Sequence, residues 1–402
     1  MISSLYPLAS SLKDMNDLFW LILILFLVAA ALRSELFFYL LYIVVGLQVL
    51  VRFWLRRGAR QITWRRHAPA AAFPGEHTTI EIELTNDGLL PLPWLTLTES
   101  VAPALHNPPT IREVFSLGAN ERYVLTYTVV GQRRGYYRLG PLTLSTGDVL
   151  GLDERILSKP ERDAMTIYPT TLPLAELGLP AALPYGTLAT PQRLFSDPAR
   201  PAGVRPYQAA DGVRRIDWKT TAHAGEPQVR RYQPAIALET LIALAFSRAE
   251  FGGRFAYDMM ERALVAAASI ATQLNQQRQP IGLCTTGIDA ATGQLAGAVP
   301  VGPGRANLIA MMGILGRLEL AQTGDLPEVT SRAATGLGWG STVVVITGQR
   351  GPELLARLLP LQRRGLSVAL IITEPSPADL GLPRQYGITT YGLWRDGRPS
   401  AG

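Results

Sequence analysis

Between Phe195 and Pro234 the chain gathers Arg205, Arg214, Arg215, Lys219, Arg230 and Arg231 around Asp211 and Asp217, with Tyr207, Trp218 and Tyr232 among them. Guanidinium forks bind carboxylates through paired hydrogen bonds and stack on aromatic faces, so this density reads as a connected polar network. Two roles suit it: a structural clasp between domains, or a surface that reads a partner. A third is chemical, a hydrolase site with acid and base drawn from Asp211, Asp217 and His223. Neither Asp217 with His223 nor Cys284 with His223 is accompanied by a supporting motif. With His67, His77, His106 and His223 the only histidines, a histidine metal site is not expected. Gly302-Pro303-Gly304-Arg305 before a helical pattern suggests phosphate on backbone amides. It lacks a following Lys-Ser/Thr and does not directly follow a predicted strand, so a plain loop is the better reading.

Composition narrows the classes. A chain of 402 residues with 48% hydrophobic side chains holds two or three folded domains. Basic residues exceed acidic ones by 38 to 32, and Lys13, Lys159 and Lys219 are the only lysines. That arginine excess suits an anionic membrane surface as well as nucleic acid, but no recognition helix or stacking motif supports nucleic-acid binding. The single Cys284 excludes an internal disulfide framework.

The elements that must position these residues follow in order. Leu18–Leu32 and Leu36–Val51 are apolar runs separated by Arg33-Ser34-Glu35, and they predict a transmembrane helical hairpin with lipid contact through residues 18–57. Arg52, Arg56, Arg57, Arg60, Arg65 and Arg66 crowd after the second run, which places both termini in the cytoplasm by the positive-inside rule. Residues 1–62 form this anchor. From 63 to 170 the period is two, with strands predicted over His77–Thr85, Trp94–Thr98, Arg122–Val130 and Tyr136–Leu144, an immunoglobulin-like β-sandwich. Residues 171–199, rich in Pro and Leu, read as a linker or loose wrap. From 200 to 402, strands at Leu241–Phe246, Ile281–Cys284, Thr342–Thr347 and Val368–Thr373 alternate with helical spacing, a doubly wound α/β domain. The fold class is therefore multidomain, all-β plus α/β, behind a membrane anchor.

The run Arg205-x-Tyr207, Asp211, Arg214-Arg215-Ile216-Asp217-Trp218-Lys219, Thr221-Ala222 and Val229-Arg230-Arg231-Tyr232 resembles the signature of the bacterial proteins grouped as domain of unknown function 58. Ala210 and His223 depart from it, standing where that family usually has Gly and Arg. Gly131–Leu152 is similar to the family as well. The resemblance implies that the α/β part is von Willebrand factor A-like. Such domains bind Mg²⁺ after the first strand through Asp-x-Ser-x-Ser, and here Ala245-Phe246-Ser247-Arg248-Ala249 retains only Ser247. No metal and no other cofactor is expected. The resemblance further implies a non-enzymatic scaffold or adaptor at the cytoplasmic (inner) membrane that assists assembly or maturation of other proteins. Its implied partners are a MoxR-type AAA+ ATPase and, in some cases, a transglutaminase-like membrane protein. Arg205, Tyr207, Asp211, Arg214, Arg215, Asp217, Trp218, Lys219 and Arg230 are the residues expected to form the clasp or partner surface.

Overall fold

The computed structural model describes residues 35–147, 154–157, 162–180, 196–208, 216–234, 239–251 and 256–395, with isolated positions 20, 23, 24, 26 and 27. The chain is a mixed α/β protein with many strands and, among the described residues, seven helices. It divides into two compact units, Met1–Tyr168 and Pro169–Gly402.

In the first unit a helix, α1 (Glu35–Ala59), runs eight residues past the apolar run and includes Arg52, Arg56 and Arg57. At about 37 Å it is long enough to cross a membrane, and the window within Phe38–Ala59 reaches a mean hydropathy of 1.9 with 11% of it buried. Tyr39, Tyr42, Ile43, Val49 and Phe53 are all exposed along it. Most of the first predicted membrane run lies outside the described residues. The last turns of α1 behave differently: Leu55 is buried, Trp54 Nε1 donates to the Pro91 carbonyl at 2.9 Å, and Gly58 lies against Leu92. The basic end of the helix is thus part of the β unit rather than a tether to it.

The β unit contains β1 (Ile62–His67), β2 (Ala71–Ala72), β3 (His77–Asn86), β4 (Leu92–Ser100), β5 (Thr110–Leu117), β6 (Arg122–Val130), β7 (Gly135–Leu139), β8 (Leu142–Gly147), β9 (Glu154–Ile156) and β10 (Asp163–Ile167). They form sheets ordered β1-β3-β6, β2-β10-β7 and β5-β4-β8-β9. Alternation works as expected in β3, where Ile80, Ile82 and Leu84 are fully buried and join Leu97, Leu125, Val129, Leu144, Met165 and Ile167 in one core. The strand predicted over Tyr136–Leu144 is two strands in two sheets. Pro141, which has no N–H to give a ladder, marks the break.

Arg66 ties these sheets together. Its guanidinium, wholly buried, donates from Nη2 to both Glu99 carboxylate oxygens at 2.9 Å and from Nη1 to Asp163 at 2.6 Å. Burial works against its charge, but the two carboxylates outweigh it and raise the pKa above that of a free arginine. Removing Glu99 takes two of the three bonds that the buried guanidinium makes to carboxylates and leaves Asp163: Glu99→Ala should cost about 3 kcal/mol. Arg122→Ala opens the 2.8 Å pair with Glu83, whose arginine side chain is 63% exposed, and should cost less than about 1 kcal/mol. Native-state hydrogen exchange of β3 and β6 amides in the detergent-solubilised chain reads both. Equal costs would contradict the assignment.

The second unit begins with a segment that packs on its own domain. Leu174 and Leu177 of a short 3₁₀ turn are buried, Leu172 N–H donates to Ser269 at 2.9 Å, and Arg262 donates to the Glu176 carbonyl at 3.3 Å. Residues 181–195 of the predicted linker lie outside the described residues. A two-stranded ladder of β11 (Ser196–Pro206) and β12 (Gln228–Pro234) carries α2 (Trp218–Ala224). Next come β13 (Thr240–Leu244), α3 (Ala256–Gln276), β14 (Ile281–Thr285), β15 (Ile288–Asp289), β16 (Gln294–Leu295), β17 (Val299–Gly302), α4 (Arg305–Arg317), β18 (Leu318–Glu319), α5 (Leu326–Ala333), β19 (Thr342–Thr347), α6 (Pro352–Arg363), β20 (Ser367–Thr373), α7 (Pro377–Gln385) and β21 (Thr389–Leu393).

Six of these strands form one sheet, ordered β17-β14-β13-β19-β20-β21, parallel except for β17. Every residue of β13, β14 and β19 is buried, as continuous apolar runs covered on both faces must be. The Gly302-Pro303-Gly304 turn does follow a strand, β17, contrary to expectation. β17 is four residues, Val-Pro-Val-Gly, so it is too short and too broken by Pro300 to read as a strand from its pattern. Asn307 fills this turn, donating to the Ile281 and Pro300 carbonyls. The Arg363-Arg364-Gly365 stop forms as predicted, with Gly365 at φ +84° and the Trp339 ring where a side chain would stand.

Candidate functional site

Two places in the second unit gather polar side chains. The first is the arginine-rich signature. β11 and β12 pair antiparallel with Val204 opposite Arg230 and Arg205 opposite Val229, and register shifts bend the ladder near Pro201. Between the strands the chain makes α2, and the reason is local. Asp217 at the N-cap accepts from the Lys219 and Thr220 amides at 3.2 and 3.3 Å, and Gly225 closes the helix in the left-handed conformation. The Asp217 N–H bonds to the Gln228 carbonyl, and Gln228 N–H to the Thr221 hydroxyl, so the helix is stitched to β12. Tyr207 N–H is anchored on the Pro227 carbonyl at 2.8 Å.

This module brings Arg205, Tyr207, Asp217, Trp218 and Lys219 together. Arg230 sits on β12, and Asp211, Arg214 and Arg215 lie outside the described residues. No residue of α2 is buried, and Trp218 is 67% exposed beside the exposed Lys219. Arg205 and Tyr207 are half-buried. Asp217, half-buried, caps α2, and its expected clasp partner Arg215 lies outside the described residues. Asp217→Ala should therefore cost about 1 kcal/mol, with Asp217→Ser recovering most of it. Chemical denaturation checks this, and a loss of about 3 kcal/mol would show a buried ion pair in addition to the cap.

The second place was not anticipated beyond Ser247. The chain leaves β13 through Ala245-Phe246-Ser247 and turns at Arg248-Ala249-Glu250, which carries the Glu250 carboxyl back under the strand end. Glu250 Oε2 accepts from the Ser247 hydroxyl at 2.7 Å and from the Thr286 hydroxyl, just after β14, at 2.6 Å. Oε1 accepts from the Leu326 amide at the start of α5 at 3.1 Å. Thr286 in turn accepts from the Phe246 amide at 2.8 Å. Ser247, Glu250 and Thr286 are at most 2% exposed. Gly324 seals the cluster: a Cβ there would stand 2.7 Å from the Ser247 hydroxyl and 3.0 Å from Glu250 Oε2. The legible sequence signal was a lone Glu three residues after Ser247, in a turn.

Other candidates are spoken for. Cys284 is buried in β14 and burial pushes its thiol up to about 12, which removes it as a nucleophile at neutral pH. Its imagined partner His223 lies exposed in the last turn of α2. Asp325 caps α5 through the Glu328 amide and pairs with Arg357 at 2.6 Å. Among the described residues no group of three His, Cys, Asp or Glu side chains is arranged to hold a metal.

Burial raises the Glu250 pKa above the ordinary glutamate range, and the hydrogen bonds from Thr286, Ser247 and Leu326 oppose it. A carboxyl whose folded pKa exceeds its unfolded value contributes stability that is fully present below the unfolded pKa of about 4 and lost as pH rises through the folded one. Wild type should therefore lose stability over that rise, and Glu250→Gln should flatten the slope. Denaturation midpoints across pH 4–7, about the range concerned, check this; an unchanged slope in the variant would assign the dependence elsewhere.

The signature has a counterpart in known sequences. A family model described as "Protein of unknown function DUF58" matches residues 203–389, the segment that carries the signature. No curated protein matches the chain. Among solved structures, a CARDB domain from Pyrococcus furiosus is 15% identical, with 27% of this chain and 94% of that one covered at a TM-score of 0.20. The complex of zinc 2-glycoprotein with prolactin-inducible protein from human seminal plasma is 8% identical, with 26% and 92% covered at 0.22. Native alpha-2-macroglobulin from Escherichia coli is 15% identical, with 28% and 17% covered at 0.23. Scores this low carry no argument about fold or function.

Proposed function

We propose that the protein is a membrane-anchored adaptor whose partner docks on the β11-α2-β12 module. The observation that carries the reading is Trp218, a large aromatic ring two-thirds exposed beside Lys219 on a helix none of whose residues is buried. Trp and Arg dominate binding energy at protein interfaces, and a hydrogen-bonded hairpin presents them without an ordering cost. The family resemblance supports a MoxR-type AAA+ ATPase as the partner, with a transglutaminase-like membrane protein as a further associate. In this reading the first unit is an immunoglobulin-like sandwich. The second is a von Willebrand A-like domain, which the strand order with antiparallel β17 supports. The apolar face of α1 and the arginines at its end favour anchorage with both units in the cytoplasm.

The hydrolase reading has less behind it. Asp217 directs its carboxylate to helix amides, and His223 stands at the opposite end of α2.

Inside-out and right-side-out membrane vesicles carrying the tagged chain, incubated with cytosol and then solubilised, test the proposal. An AAA+ ATPase should be recovered from inside-out vesicles only. Trp218→Ala should weaken its binding by about 30-fold, as loss of a 2 kcal/mol anchor does. Equal recovery with wild type and variant would remove the docking role, and recovery from right-side-out vesicles would reverse the topology.

A further inference from the structure

In parallel α/β sheets the usual place for a ligand is the crevice beyond the carboxyl ends of the strands, where the strand order reverses. Here the chain steps from β13 to β14 on one side and later to β19 on the other, so the reversal falls at β13. The Ser247, Glu250 and Thr286 cluster lies at that position. A von Willebrand A-like domain would be expected to hold Mg²⁺ there, so the fit of these residues to a cation is a direct question.

They fit poorly. Mg²⁺ demands octahedral oxygen ligands and keeps several waters, yet Ser247, Glu250 and Thr286 are sealed from solvent under Gly324. Both carboxylate oxygens already accept hydrogen bonds, two on Oε2 and one on Oε1. The third donor comes from a helix start. The Leu326 N–H belongs to the first turn of α5, where the helix dipole is positive and favours an anion. Two hydroxyl protons meet one carboxyl oxygen and an amide proton meets the other. That is a receptor for a carboxylate.

We propose that Glu250 is the resident ligand of this crevice: its carboxyl group fills the switch point from within, joining the loop after β13, the loop after β14 and the start of α5 without a cation. The domain then needs no divalent ion to set its carboxyl-edge loops, and partner binding does not pass through a metal at this edge. The inference stands apart from docking on Trp218, whose failure would leave it untouched.

Glu250→Ala should leave a carboxylate-sized void lined by the same three donors. In the detergent-solubilised full chain this variant should melt about 5–10 °C below wild type. Formate should raise its melting temperature saturably, because binding to the folded state alone stabilises by mass action, whereas chloride and Mg²⁺ should not. Formate should leave wild type unmoved, since Glu250 holds the place. Rescue by Mg²⁺ rather than formate, or no response to formate in a folded variant, would overturn the proposal. Should Glu250→Ala not fold, titration of wild type with Mg²⁺ and Mn²⁺ decides. A flat melting temperature and no bound Mn²⁺ support the internal carboxylate. Saturable stabilisation lost in Ser247→Ala refutes it.

Discussion

The Glu250 carboxyl accepts hydrogen bonds from three segments that are 3, 36 and 76 residues away in sequence. A carboxyl buried this deeply is stable only if its lone pairs are satisfied, and satisfying them fixes the loops that leave β13 and β14 and the start of α5. The turn from Ser247 to Glu250, the lack of a side chain at Gly324 and the position of α5 all follow from that requirement. Gly348, after β19, belongs to the same arrangement, since a Cβ there would meet the Glu250 carbonyl at 2.7 Å. The carboxyl edge of the sheet is thereby held by a polar knot as well as by the buried Phe246, Phe251 and Leu326.

The first unit solves a similar problem with a different charge. Arg66, on β1, reaches Glu99 on β4 and Asp163 on β10, so strands of three sheets share one guanidinium. Breaking such a buried pair is costly, although a well-packed apolar replacement need not be. Its role is to specify which strands face one another. The apolar helix α1 enters that unit through Trp54, Leu55 and Gly58, so helix and strands meet through packed side chains and a hydrogen bond.

The signature module follows neither pattern. Its order comes from backbone ladders, a carboxylate cap and a glycine stop, all of short range. Such a construction leaves side chains such as Trp218 and Lys219 outward, which core packing would not allow. A solvent-facing position and a fold core make opposite demands on a tryptophan, and this position is solvent-facing.

By itself, the sequence determined the elements whose cause is local: the period-two burial of β3, the apolar runs of β14, β19 and β20, the Arg363-Arg364-Gly365 stop, the membrane-compatible run in α1, and the family resemblance carried by the 205–232 motif. It marked Ser247 and missed Glu250. The physical reason is that Ser247 lies on a predicted strand end, while Glu250 acquires meaning only when Thr286 and the Leu326 amide arrive from distant segments to donate to it. Tyr136–Leu144 read as one strand because alternation does not show to which sheet a residue belongs. Arg66 read as one more membrane-proximal cation, since only its tertiary partners Glu99 and Asp163 distinguish it from Arg56 or Arg57. Asp217 read as part of a charged network because charge density is visible in sequence, whereas its capping of α2 shows only once the helix is in place.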